Sequence, residues 1–130
     1  MRTAEEVVRE FCVAVASRDA ATLGEYFHPD AVFHDLPKQP QRGREAVLAG
    51  LAAIFARFEL VTFEIKNLAV AGEVVLTERV DWLGSGNQRA PIPVMGAFEV
   101  HDGLIYHWRD YFDQAFATAL IRGEAVSSQS

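Results

Sequence analysis

The sequence predicts an α+β fold, with a curved, mostly antiparallel sheet and helices packed on one of its faces. Three observations carry this. Helical periodicity is confined to the stretch before Leu60 and to a short segment near the end. From Leu60 onward the chain is rich in β-branched and aromatic residues. Tight turn signals separate those stretches, so sequential strands pair as neighbours.

Taken in order, Thr3 and Glu6 have the spacing of a capping box. Val7, Val8, Phe11, Cys12 and Val15 then form one apolar helical stripe that runs to about Arg18. Asp19 can cap a short second helix through Leu23 and Phe27, ended by His28-Pro29. Ala31 to Asp35 reads as a short strand, and Leu36 to Gly43 as a proline-broken loop. Val47, Leu51, Ile54, Phe55 and Phe58 give a third helix. Strands follow at Leu60 to Val70, Val74 to Leu83, Ile92 to His101 and Leu104 to Phe112. Gly72-Glu73, Gly84 to Asn87 and the hairpin signal Asp102-Gly103 separate them. Asp113 to Leu120 can form a closing helix, and the tail after Gly123 is expected to fray.

With 130 residues, half of them apolar, the chain fits a single compact domain, 1–130, able to bury a core and a pocket. A net charge of −6 argues against a nucleic-acid backbone or an anionic membrane as partner. No apolar run approaches the ~20 residues that span a bilayer. The N-terminus reads as an amphipathic helix rather than a signal peptide. Cys12 is alone, which excludes an intrachain disulfide and a cysteine metal cluster, and a cytoplasmic location is expected. His28, His34, His101 and His107 lack ligand spacing, so no metal site is expected.

The chemistry lies in the strands. Alternation puts Val75, Thr77, Arg79, Asp81 and Leu83 on one face, so a charged pair points where apolar residues also point. In the last strand, Leu104, Tyr106, Trp108, Asp110 and Phe112 share the more apolar face, which is expected to be the inner one. Ile92, Val94, Gly96 and Phe98 make an uncharged face on the strand before it, and Gly96 leaves room near the centre. Asp110 would then be a buried acid near Arg79 and Asp81, and one guanidinium can serve two carboxylates. Spacing alone leaves this open between a structural tie and a reaction centre, and Trp108 and Phe112 between core and pocket.

Two stretches, Thr77-Glu78-Arg79-Val80-Asp81 and Gly103 to Asp113 with its Trp108-Arg109-Asp110-Tyr111-Phe112-Asp113 run, make the chain resemble the limonene epoxide hydrolase family. That family lies within the SnoaL-like, nuclear-transport-factor-like superfamily of α+β cones, and the resemblance spans roughly residues 3 to 123. It implies a cone with the N-terminal helices on the concave face of the sheet, a homodimer, and one-step hydrolysis of an epoxide to a vicinal diol without metal or organic cofactor. It also implies roles: Asp110 as the base on water, Asp81 as the acid on the epoxide oxygen, and Arg79 as the bridge. Trp108 would line the pocket and orient Asp81 or the substrate.

One departure stands out. The family holds its water with a Tyr and an Asn two residues apart on the first strand, where this chain has Phe33 and Asp35. Asp35 can accept a hydrogen bond but cannot donate one when ionised. Tyr106 is a candidate for the missing hydroxyl. Ile54, Phe58, Leu60, Leu83, Ile92, Val94 and Phe112 are expected as pocket walls, which suit a small or medium apolar epoxide. An epoxide-opening cyclase, a polyketide- or steroid-type cyclase or isomerase, and a non-catalytic ligand-binding cone are the alternatives. Leu76, Val80, Trp82, Ile105 and Tyr111 are expected on an outer sheet face that a second subunit would cover.

Overall fold

A computed structural model describes residues 1–124. The tail expected to fray lies largely outside the described residues. The elements are α1 (Ala4–Ala14), α2 (Ala20–Leu23), β1 (Phe27–Asp35), β2 (Gln41–Arg42), α3 (Arg44–Arg57), β3 (Leu60–Ala71), β4 (Val74–Ser85), β5 (Gln88–His101), β6 (Leu104–Tyr111) and α4 (Gln114–Ile121). The six strands form one curved sheet in the order β2-β1-β6-β5-β4-β3. Every pairing is antiparallel except β1 with β6. No helix among the described residues is long and apolar enough to cross a membrane.

Local chemistry sets the boundaries. The Thr3 hydroxyl accepts from Glu6 N–H at 3.1 Å and the Glu6 carboxylate accepts from Thr3 N–H at 2.8 Å, closing the capping box on α1. At the β5–β6 hairpin, Asp102 and Gly103 have φ of 51° and 77°. Two left-handed residues make the turn whose twist matches its strands.

Two strands are longer than the sequence suggests. β1 opens at Phe27 and runs through Pro29, with its register to β6 shifting between Phe27 and Val32. β5 opens at Gln88 and includes Pro91 and Pro93. Those prolines pair with β4 alone, because β6 takes up β5 only from Met95. A missing N–H is harmless on that open side.

The core lies between α1 and the sheet. Phe11 sits at its centre, edge-on to Phe27 and to Trp108 with ring centroids 5.2 Å away in both cases. Val7, Val8, Val15, Phe98 and Ile105 are fully buried around it. Burying side chains of this size contributes about 1.5–3 kcal/mol each, so α1 is held mainly by its apolar stripe.

The last strand corrects one expectation. β5 pairs Glu99 with His107 but Val100 with Ile105, so one extra residue bulges from β6 at Tyr106. Parity reverses there. Ile105, expected on the outer face, is fully buried, and Tyr106, expected inside beside Trp108, stacks on His28 at 3.9 Å between centroids. Leu76, Met95 and Tyr111 remain 43%, 51% and 50% exposed on the outer face.

Candidate active site

Arg79 is the organising group, 1% exposed and carried inward by β4. All five of its N–H donors are used. Nε and Nη2 donate to Asp81 Oδ1 and Oδ2 at 2.9 and 2.8 Å, a two-pronged contact along one strand. Nη2 and Nη1 donate to Asp110 Oδ2 and Oδ1 at 2.8 and 3.1 Å. The remaining Nη1 hydrogen goes to the Thr77 hydroxyl at 3.1 Å, which itself donates to the Gly96 carbonyl at 3.2 Å. Phe63 and Phe98 put their rings 4.7 and 5.9 Å from the guanidinium carbon.

The reach from Arg79 to Asp110 crosses a strand. β5 lies between β4 and β6, and Gly96 pairs with Thr77 on one side and with Asp110 on the other. A Cβ at Gly96 would collide with Arg79 Nη1 and stand 2.6 Å from Asp110 Oδ1. Gly96 is therefore the gap through which the two charged strands meet. Gly96→Ala is expected to lose about 1–3 kcal/mol through overpacking and to misplace both acids. A melting curve and an activity assay on the same sample check this, and a variant with normal stability and turnover removes the gap argument.

Asp81 and Asp110 are 7% and 4% exposed, and both reach the wall of a cavity of about 250 Å³. Burial pushes the Asp81 carboxyl up to about 6, even though Arg79 pulls the other way. Burial also opposes the charge on Arg79, but Asp110 and Asp81 outweigh it and hold its pKa well above the ordinary value. Trp108 Nε1 donates to Asp110 Oδ1 at 2.8 Å, so the indole orients Asp110 rather than Asp81.

Most of the expected walls meet here. Ile54, Phe58, Leu83, Ile92, Val94, Phe112 and Trp108 line the cavity. Leu60 does not: Val61 and Phe63 take the inward positions of β3, which turns Leu60 to the other side. Tyr106 is also absent, for the bulge turns it away, and it supplies no hydroxyl to the site. Phe33 lines the cavity and stacks flat on Trp108 at 3.9 Å. Asp35 lines it too, in register with Asp110 on β6 and 3.2 Å from Lys38 Nζ.

Sequence reasoning missed Thr77 as the seat of Arg79, although it shares the strand face of Arg79 two residues away. It also missed Phe63, whose register opposite Asp81 depends on a pairing the sequence does not state. Chemically, the arrangement offers two carboxyls on one apolar wall, locked by one cation and differently supported.

The SnoaL-like domain model matches residues 8–108. Epoxide hydrolase EphG of Mycobacterium tuberculosis is 36% identical over 108 residues, covering 82% of this chain and 70% of that protein. The structure of an M. tuberculosis LEH-like epoxide hydrolase matches with a TM-score of 0.78 at 35% identity, over 92% of this chain and 90% of that one. A putative SnoaL-like polyketide cyclase from Shewanella denitrificans gives 0.80 at 16% identity, over 93% and 98%, a likeness of fold alone. By the SnoaL-like domain match and its likeness to the M. tuberculosis epoxide hydrolase in sequence and in structure, the chain belongs to the limonene epoxide hydrolase family of the SnoaL-like superfamily.

Proposed function

We propose that this protein hydrolyses a small or medium apolar epoxide to a vicinal diol in one acid–base step. The observation that carries the reading is the pair of buried carboxyls tied to one guanidinium on an otherwise apolar cavity wall. Its relatives named epoxide hydrolases support the reaction class.

The hydrogen bonds support the roles that the resemblance implies, with Asp110 as base and Asp81 as acid. Asp110 Oδ1 already accepts from Arg79 and Trp108, which leaves Oδ2 the freer atom to take a proton from water. As the water oxygen bonds to one epoxide carbon, that carbon's C–O bond breaks, and Asp81 gives its proton to the departing oxygen. The products are the diol, protonated Asp110 and ionised Asp81, and proton exchange with solvent restores the start. Arg79 stays charged throughout, so it can stabilise whichever acid is ionised. Two adjacent acids in a dry site resist ionising together, which favours one proton shared between them.

The Asp81 role has a pH signature. A carboxyl that titrates near 6 is protonated below that value and loses the proton above it. At pH 7 about a tenth of the molecules retain it. Activity as kcat/KM is expected to fall about tenfold per pH unit above about pH 6. Asp81→Asn should remove that limb, because an amide does not titrate. A limb that persists in the variant assigns it to another group.

The function itself is tested by incubating the protein with terpene and cycloalkene epoxides in ¹⁸O-labelled water. Diol carrying one label supports hydrolysis. A cyclic ether from a hydroxy-epoxide, with no label, points to an epoxide-opening cyclase, and no product at all rejects both. The same reading includes a homodimer that covers Leu76, Met95 and Tyr111, and a monomer in sedimentation equilibrium would remove that element.

A further inference from the structure

The acids are accounted for, but the nucleophile is not. A water that attacks carbon must have its two hydrogens and one lone pair held so that the other lone pair is aimed. Asp110 takes one hydrogen. An amide could take the second and also donate to the oxygen, since it carries both an acceptor and donors. Asp35 stands where the family's amide would be, and a carboxylate only accepts. Phe33, two residues before it, has a ring occupied by Trp108 and no polar atom. Tyr106 faces the other way.

A free donor stands on the turn that follows β1. Lys38 N–H donates to the Asp35 carbonyl at 2.9 Å, which folds the chain back on itself. The Lys38 ammonium then lies 3.2 Å from Asp35 Oδ2, and both side chains line the cavity. One of its three hydrogens serves Asp35, which leaves two to offer. The β1–β6 register sets Asp35 beside Asp110, and Asp35, Lys38 and Asp110 all line the same cavity.

We infer that Asp35 and Lys38 act together as the water holder, an ion pair replacing a single amide. The water gives one hydrogen to Asp110 and one to Asp35, accepts from Lys38, and points its remaining lone pair at the epoxide carbon. Lys38 has a second effect. Burial holds the Asp35 pKa above its ordinary value and Asp110 adds to this, while Lys38 opposes both and so favours the ionised, accepting form. Lys38 and Asp35 are positioning residues, and the inference rests on the hydrolase reading above.

The test is a double-mutant cycle on the full chain, assayed for labelled diol, with a melting curve for every variant. Lys38 is largely exposed, so Lys38→Met should fold normally. It is expected to lower kcat about 10- to 100-fold with KM within about twofold, since it misplaces water and not epoxide. Lys38→Arg keeps a donor and should stay within about fivefold of wild type. The decisive variant is Asp35→Asn with Lys38→Met, which puts the amide back. It is expected to recover kcat to within about fivefold of wild type, a rescue no purely structural tie would give. Wild-type turnover in Lys38→Met, or a folded double variant as slow as Lys38→Met, overturns the inference and leaves the hydrolase reading standing. A wild type that gives no diol from any epoxide overturns both.

Discussion

Arg79→Met is expected to inactivate the protein and to unfold it in a pH-dependent way. Methionine keeps an unbranched apolar stem against Phe63 and Phe98, so lost packing is small. The lost charge dominates. Asp81 and Asp110 would each lose two hydrogen bonds and their shared cation in a site where both are nearly inaccessible. Breaking a buried ionic cluster by removing one partner costs about 3–5 kcal/mol. For a chain this size that is roughly 10–20 °C of melting temperature near pH 7.5.

The sign of the pH effect follows from Asp81. Its folded pKa, about 6, lies above its ordinary 3.8 because of burial, with Arg79 opposing. A group raised on folding stabilises fully below its unfolded pKa and loses that contribution as pH rises through the folded value. In the wild type the Asp81 contribution therefore fades between 3.8 and about 6. Without Arg79 the burial effect is unopposed, so the window stretches to higher pH and deepens. Thermal melts of wild type and variant should nearly converge towards pH 4–5 and diverge above pH 6. Parallel curves across that range would mean that Arg79 contributes packing rather than charge.

Much of this arrangement is written in the period-two pattern of the strands. Thr77, Arg79 and Asp81 share a face with Val75, and the structure buries all four. The Asp102-Gly103 signal marks the hairpin that brings β6 back along β5. What was not legible depends on pairing. Nothing in Leu104 to Phe112 announces that a residue bulges at Tyr106, yet that one residue reverses which side chains face in, removing Tyr106 from the site and burying Ile105. Nor does the sequence say that β5 separates the two charged strands. Gly96 reads as spare room, whereas its place between Thr77 and Asp110 makes it the passage for a guanidinium. Nor does the sequence announce that β5 opens four residues early, at Gln88 rather than Ile92, and takes in Pro91, which the sheet order permits because β6 leaves that side of β5 unpaired there. Lys38 lies in a loop, and only the turn hydrogen bond to Asp35 brings it to the cavity.

Replacing Asp110, the base in the proposed mechanism, is expected to have a large kinetic effect without unfolding the protein. Asp110→Asn preserves shape and one acceptor, so Arg79 and Trp108 each retain something to donate to, but the amide cannot take a proton from water. Loss of a positioned general base costs about 10²–10⁴ in rate, and an apolar, water-poor site puts this variant near the upper end, at about 10³–10⁴. Asp81→Asn should fall by a similar order, because the opening oxygen would then leave as an unprotonated alkoxide. The double variant distinguishes one step from two. If attack and protonation occur in a single transition state, removing either acid already forfeits most of what the pair does, and Asp81→Asn with Asp110→Asn should be no more than about tenfold slower than the worse single variant. If they occur in separate steps, the slower step alone should set the rate. One single variant would then match the double while the other stayed close to wild type. Turnover of one strained epoxide by all four proteins, in labelled water and corrected for uncatalysed opening, separates the two cases. Arg79 bonds both acids through the same Nη2 atom, which couples their positions and favours the concerted outcome.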